Sequence, residues 1–173
     1  MKNYLHHIAI ICTGICALIV AGACTVSYKF NGASIDYTKI KSITISEFPN
    51  NAPLVYTPLT TKFNDALSNI YASQTRLKIV RTGGDLNLEG AITGYNLVPL
   101  SVGANSLASE NRLTISVKIY FVNNITGEEK ETTLSANRTF PSSSTLDEVQ
   151  DALCDEMIEE LADQIFNATV ANW

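Results

Sequence analysis

Histidine is almost absent from this chain: there are two, His6 and His7, both near the start. Without imidazole further along, the rest cannot build a Ser-His-Asp triad, a proton relay poised near neutral pH, or a histidine metal cluster. Basic residues are also scarce, 12 Lys and Arg against 17 Asp and Glu, for a net charge of −5. That balance argues against nucleic acid as a partner, because neutralising phosphates takes clustered Lys and Arg. No Gly-rich phosphate loop is present, and Gly83-Gly84 reads as an isolated turn dipeptide. Only four cysteines occur, at 12, 16, 24 and 154. Cys154 sits in "DALCDEMIEE", among carboxylates that raise a thiol's pKa, the wrong setting for a nucleophile. Asp85, Glu89 and Glu110 are the candidate acid/base carboxylates, and nothing in their spacing sets them apart from solvated surface positions. The sequence therefore points away from an enzyme and calls for no metal or cofactor.

One long apolar run is present, Ile8 to Ala23, 16 residues interrupted by Thr13 and Gly14. Lys2 is the only formal charge before it. A membrane-spanning helix needs roughly 20 apolar residues. A basic start, a shorter apolar core and small residues at its end instead describe a signal peptide, residues 1–23. Ala21-Gly22-Ala23-Cys24 resembles a bacterial lipobox, with Ala21 where Leu is usual, and the resemblance implies that Cys24 is the lipidated first residue of the processed chain, the alternative being an ordinary secreted protein cut near here with Cys24 incidental. Cys12 and Cys16 lack a small residue directly before them. Each buried methylene of an acyl anchor is worth about 0.8 kcal/mol, so several chains hold a protein to a membrane durably without a transmembrane helix. The processed chain, residues 24–173, carries 11 basic and 17 acidic residues, 11 − 17 = −6. With Cys24 lipidated, Cys154 has no partner for an intramolecular disulfide.

Residues 24–39 read as the lipidated N-terminus and a tether, followed by one domain over 40–173. "IKSITISEF" (40–48) alternates like a strand, with Ile43 and Ile45 on one face. Thr57 and Pro58 mark a helix start, with Thr57 as cap, and Leu59, Phe63, Leu67 and Ile70 or Tyr71 form one apolar stripe. "TRLKIV" (75–80) and "DLNLEGAITGYNL" (85–97) read as strands around the Gly83-Gly84 turn, ended by Pro99 and a long loop, 99–111. Leu113, Ile115, Val117, Ile119 and Phe121 alternate with Thr114, Ser116, Lys118 and Tyr120 in the clearest strand; residues 130–140 return as its hairpin partner. Thr145 to Glu148 has capping-box spacing before a helix of about 20 residues built on Leu146, Val149, Leu153, Met157, Leu161 and Ile165. Eight carboxylates and no cation lie between Asp147 and Asp163, a solvated face by default and a dock for a basic partner as the alternative. "NATVANW" reads as the frayed exit of that helix. The expected fold is α+β: a four-stranded mixed sheet in the order β-α-β-β-β-α, with its first two strands parallel and both helices on one face.

"CTVSYKFNGASID", "TRLKIV" followed by "GGDLNLEGAITGY", and the closing "FNATVANW" resemble the LptE family of lipopolysaccharide-assembly outer-membrane lipoproteins. The resemblance implies that fold and a place inside an LptD-type β-barrel, whose assembly the subunit assists while lipopolysaccharide passes to the cell surface. It also implies anchorage in the periplasmic leaflet of the outer membrane, since Thr25 rather than Asp follows Cys24. Arg76, Lys78 and Arg81 form the densest basic group, and Arg112 and Lys118 join it if their strand is adjacent. These five are the candidate contacts for lipopolysaccharide phosphates, weighed against an ordinary solvated strand edge. The competing reading is a free-standing lipoprotein, without a barrel partner, that binds a soluble or lipidic ligand in the periplasm.

Overall fold

The computed structural model describes residues 35–54, 56–100 and 110–171. The proposed signal peptide, Cys24 and the tether up to residue 34 lie outside these residues, as do most of the expected 99–111 loop and Trp173. The elements are β1 (Ser42–Ile45), α1 (Pro58–Gln74), β2 (Lys78–Val80), β3 (Leu86–Leu100), β4 (Glu110–Asn123), β5 (Glu128–Pro141) and α2 (Leu146–Phe166), with a π-helical turn, Asn167–Ala171, after α2. The sheet order is β2-β1-β3-β4-β5. β1 is parallel to both β2 and β3, and the β3–β4 and β4–β5 pairs are antiparallel. None of the described helices is long and apolar enough to cross a membrane.

The α+β class, the two helices and the mixed sheet agree with the sequence, and so does the parallel β1–β2 pair. The strand count does not: the sheet has five strands, not four. The short run before Gly83-Gly84 is a strand of its own, and it is not the hairpin partner of β3. β1 lies between the two, with Thr44 opposite Val80 on one side and Asn87 on the other. The chain therefore crosses β1 between Val80 and Leu86. It crosses on the side of Ser42 and Thr44, away from buried Ile43.

That crossing depends on the two glycines. Gly83 has φ +72°, the left-handed region that glycine enters without strain. Gly84 lies directly against β1, where a Cβ would sit 2.5 Å from the Thr44 nitrogen and 2.8 Å from the Ile43 carbonyl carbon. Its N–H donates to Thr44 Oγ1 at 3.0 Å, which gives a polar partner to a threonine that is buried. Asp85 completes the bracket: its carboxylate accepts the backbone N–H groups of Lys41 (2.7 Å) and Ser42 (3.0 Å) and the Ser42 hydroxyl (3.0 Å).

β4 shows why the core forms where it does. Leu113, Ile115, Val117, Ile119 and Phe121 are all buried, and their alternating neighbours point away from the helices. Onto this face α1 lays Leu59, Phe63, Leu67 and Tyr71, all fully buried, and α2 lays Met157, Ile158, Leu161, Ile165 and Phe166. Each such side chain removed from water contributes roughly 1.5–3 kcal/mol. Between Ile92 and Gly94 the register of β3 shifts by a bulge, so Ile92 and Tyr95 both reach the core. Phe48, just past β1, packs on Phe63 with ring centroids 5.5 Å apart; the Asn64 side chain pins it, accepting the Phe48 N–H at 2.8 Å.

Other local expectations change as well. Pro99 does not end β3, which runs on to Leu100 with Pro99 opposite Asn111. Among the described residues only β1 and the bridge between Asn50 and Ile92 flank the other edge of β3, so beyond Ile92 a missing N–H costs no ladder bond there. Thr57 is itself helical and makes no side-chain cap; α1 starts on Pro58. The Thr145 capping box does form, with the Glu148 carboxylate accepting the Thr145 N–H at 2.9 Å. The turn after α2, Asn167–Ala171, is not frayed, because Thr169 and Val170 are buried. The Thr169 hydroxyl bonds Tyr71 and also donates to the Ile165 carbonyl at 2.7 Å.

Gly84→Ala forces the added methyl into the β1 backbone and should lower stability by roughly 1–3 kcal/mol, the usual cost of overpacking. Urea unfolding followed by circular dichroism reads the shift, and an unchanged midpoint would remove the close crossing as a constraint.

Candidate interaction surfaces

The acidic stretch of α2 is the most strongly charged surface of the domain by sequence, with eight carboxylates from Asp147 to Asp163. Most of it is already engaged within the domain. Lys62 of α1 donates to Asp151 at 2.6 Å and Asp155 at 2.7 Å, two carboxylates one helical turn apart. Arg138 of β5 repeats the arrangement, Nε to Glu156 at 2.8 Å and an Nη to Glu160 at 2.7 Å. Tyr56 adds its hydroxyl to Asp151. The paired carboxylates raise the pKa of Lys62, and hydrogen bonds from Lys62 and Tyr56 lower that of Asp151. Burial, then the bond to Asp151, pushes the Tyr56 phenol up to about 12. Because these pairs are partly exposed, solvent screens them, and they set where α2 lies more than how strongly it holds. Sequence reasoning missed both cations. Two signals were available: Lys62 is the sole cation of α1, and Arg138 shares the inward parity of Ala136 and Phe140 on β5.

The candidate acid/base carboxylates are not brought together. Asp85 is the structural bracket at the start of β3, Glu89 accepts from the Asn87 side chain at 2.7 Å, and Glu110 lies at the far end of the β3–β4 ladder opposite Leu100. The hydrogen bonds from Lys41 and Ser42 hold the Asp85 carboxyl below its ordinary 3.8. Cys154 is fully buried on α2, with its thiol 3.8 Å from the Tyr95 hydroxyl, and burial raises its pKa.

The five candidate cations split into two groups. Arg76 precedes β2 with its guanidinium 5.8 Å from the Tyr37 ring centroid; Lys78 opens β2 and Arg81 follows it, all three exposed at the β2 edge. Arg112 and Lys118 lie on β4, and β1 and β3 separate that strand from β2, so the adjacency that would have joined them is absent. Lys118 is also paired with Glu131 at 2.8 Å.

What the sheet does present is its helix-free face. Across β4 and β5, Thr114, Ser116, Thr133, Ser135, Asn137 and Thr139 form a half-exposed to exposed field of hydroxyls and amides, bordered on the same face by Arg112 opposite Thr139 and Lys118 opposite Thr133. Toward the hairpin end it becomes anionic, with Glu89, Glu129 and Glu131 around Tyr120, whose hydroxyl donates to Glu129 at 2.5 Å.

Asp85→Asn tests the bracket. Because the folded carboxyl titrates below its ordinary value, its stabilisation is complete above about pH 4 and is lost as the pH falls through the lowered value. The variant should be less stable by about 1 kcal/mol near neutral pH. It should also lose less stability than the wild type between about pH 5 and about pH 2. Parallel acid titrations of the two would remove Asp85 from this role.

Comparison with known proteins places the chain. No curated protein matches it in sequence. Among solved structures it is similar to a minor lipoprotein of Acinetobacter baumannii (16% identity, TM-score 0.50, covering 73% of this chain and 89% of that one). It is similar as well to a Xanthomonas campestris protein (13%, TM-score 0.56, 76% and 85%) and to the rare lipoprotein B of Shewanella oneidensis (18%, TM-score 0.50, 72% and 92%). At such identities the likeness shows the fold. The family model for lipopolysaccharide assembly, LptE, matches residues 40–169, from before β1 through α2 and into the turn after it, and the chain belongs to that family.

Proposed function

We propose that this chain is the lipoprotein subunit of a lipopolysaccharide-assembly complex, seated within an LptD-type outer-membrane β-barrel. There it assists assembly of the barrel and helps lipopolysaccharide reach the outer leaflet. Cys24 carries the anchor and holds the subunit to the periplasmic leaflet of the outer membrane. The role is structural and involves no catalytic step. The family match over 40–169 carries this reading. The helix-free sheet face supports it physically, since the interior of an outer-membrane barrel is polar and the Ser, Thr and Asn side chains across the middle of β4 and β5 can exchange hydrogen bonds with it.

Gentle detergent extraction followed by pull-down of the lipoprotein tests the partnership. A large β-barrel protein should co-purify. Recovery of the lipoprotein alone, even after crosslinking, would overturn the reading and favour a free-standing ligand-binding lipoprotein.

Within this reading, Arg76, Lys78 and Arg81 are the group able to meet lipid A phosphates. Replacing all three with Ser should weaken lipopolysaccharide binding by about tenfold or more, the scale of a few exposed charge contacts. Unchanged affinity would exclude the β2 edge.

A further inference from the structure

At the end of the sheet nearest the β4–β5 turn lies a cleft of about 220 Å³, which none of the preceding argument uses. Its walls are mostly apolar, formed by Ile35, Ile40, Leu86, Phe121, Ile125 and Val170. The polar side chains around it are already engaged. Asp36 accepts from Thr38, Asn123 Oδ1 accepts the N–H groups of Ile125 and Thr126, and Thr126 donates to Glu128. Thr169 is held by Tyr71 and Ile165. The cleft thus offers a guest apolar contact and little hydrogen bonding from side chains. Its volume falls below the roughly 300–1,000 Å³ of sites that take drug-sized ligands, so a narrow, unbranched guest fits better than a ring system. Ile125 stands at the mouth, 48% exposed, and the charged side chains of Asp36, Lys39 and Glu128 surround it. A guest with an apolar stem and a hydrated head meets both conditions.

We infer that this cleft binds a single unbranched acyl chain of a membrane lipid, with the headgroup left in water at the charged rim. Two sources supply that chemistry, a phospholipid and the lipid A part of lipopolysaccharide. The inference draws on the proposed function only in setting the protein at a lipid surface. Apolar transfer sets the expected selectivity: each methylene accommodated strengthens binding about fourfold, until the cleft is full.

The full-length lipoprotein, reconstituted in phosphatidylethanolamine vesicles whose acyl chain carries a terminal diazirine, is irradiated and its adducts are mapped by peptide mass spectrometry. Adducts should concentrate on Phe121–Glu128 and around Val170. Val170→Phe, which fills the cleft, and Ile125→Asp, an exposed change at its mouth, should each lower them at least tenfold, with the circular dichroism of Ile125→Asp unchanged. Loss of adducts on adding unlabelled lipopolysaccharide assigns the chain to lipid A, and their persistence assigns it to phospholipid; either supports the cleft. Adducts scattered over the surface, or unaffected by both substitutions, would overturn it. Failure here with the barrel still co-purifying overturns the cleft alone, whereas intact adducts with no barrel partner overturn the proposed function alone.

Discussion

The fold turns on one close passage, the crossing of β1 by Gly83, Gly84 and Asp85. Two strands parallel to β1 must flank it, and only five residues join them. So short a link has no room for a helix, and it runs against the β1 backbone. Three conditions make that possible. Gly83 turns with positive φ, Gly84 has no Cβ to strike Thr44, and the Asp85 carboxylate accepts backbone N–H groups that would otherwise lack partners at the strand's start. The β4–β5 hairpin lies at the same end of the long strands and ties in here: Asn124 donates its side-chain amide to the Gly84 carbonyl at 2.8 Å and its N–H to the Asp85 carbonyl at 2.9 Å. The crossing therefore links the parallel and antiparallel halves of the sheet.

From there the division of labour is simple. Apolar packing supplies the stabilisation, from β4 on one side and the stripes of α1 and α2 on the other. Lys62 and Arg138 supply direction, each holding two carboxylates of α2 one turn apart and so orienting a helix that has no cation of its own. With the helices committed to one face, the other is left polar and open.

Much of this was legible from residue order. The period-two alternation of Leu113 to Phe121, the four-residue spacing of Leu59, Phe63, Leu67 and Tyr71, and the Thr145–Glu148 cap are local signals, and each element formed where its signal lay. The run that became β2 also reads as a strand, but the glycines after it look like a hairpin turn, which hides that it and β3 flank β1 in a sheet of five strands and not four. Whether such glycines reverse the chain or carry it across a neighbour depends on which strand lies between, and no local pattern encodes that. The same holds for Thr169. A polar residue near the end of a helix reads as exit, yet Tyr71, far earlier in the chain, gives its hydroxyl a buried partner.

The candidate sites divide along the same line. By itself the sequence determined the fold class, the stretches that became helices and long strands, the likeness to the LptE family and the case for Cys24 as an anchor, because composition, periodicity and short motifs are properties of neighbouring residues. The tertiary structure decided what needs distance. It separated Arg112 and Lys118 from the β2 edge by two strands, turned Asp85 from a possible acid into a structural acceptor, bound half of α2's carboxylates to cations on other elements, and brought Ile40, Phe121 and Val170 around one apolar cleft. Those outcomes follow from strand order and register, which are set by how the whole chain packs.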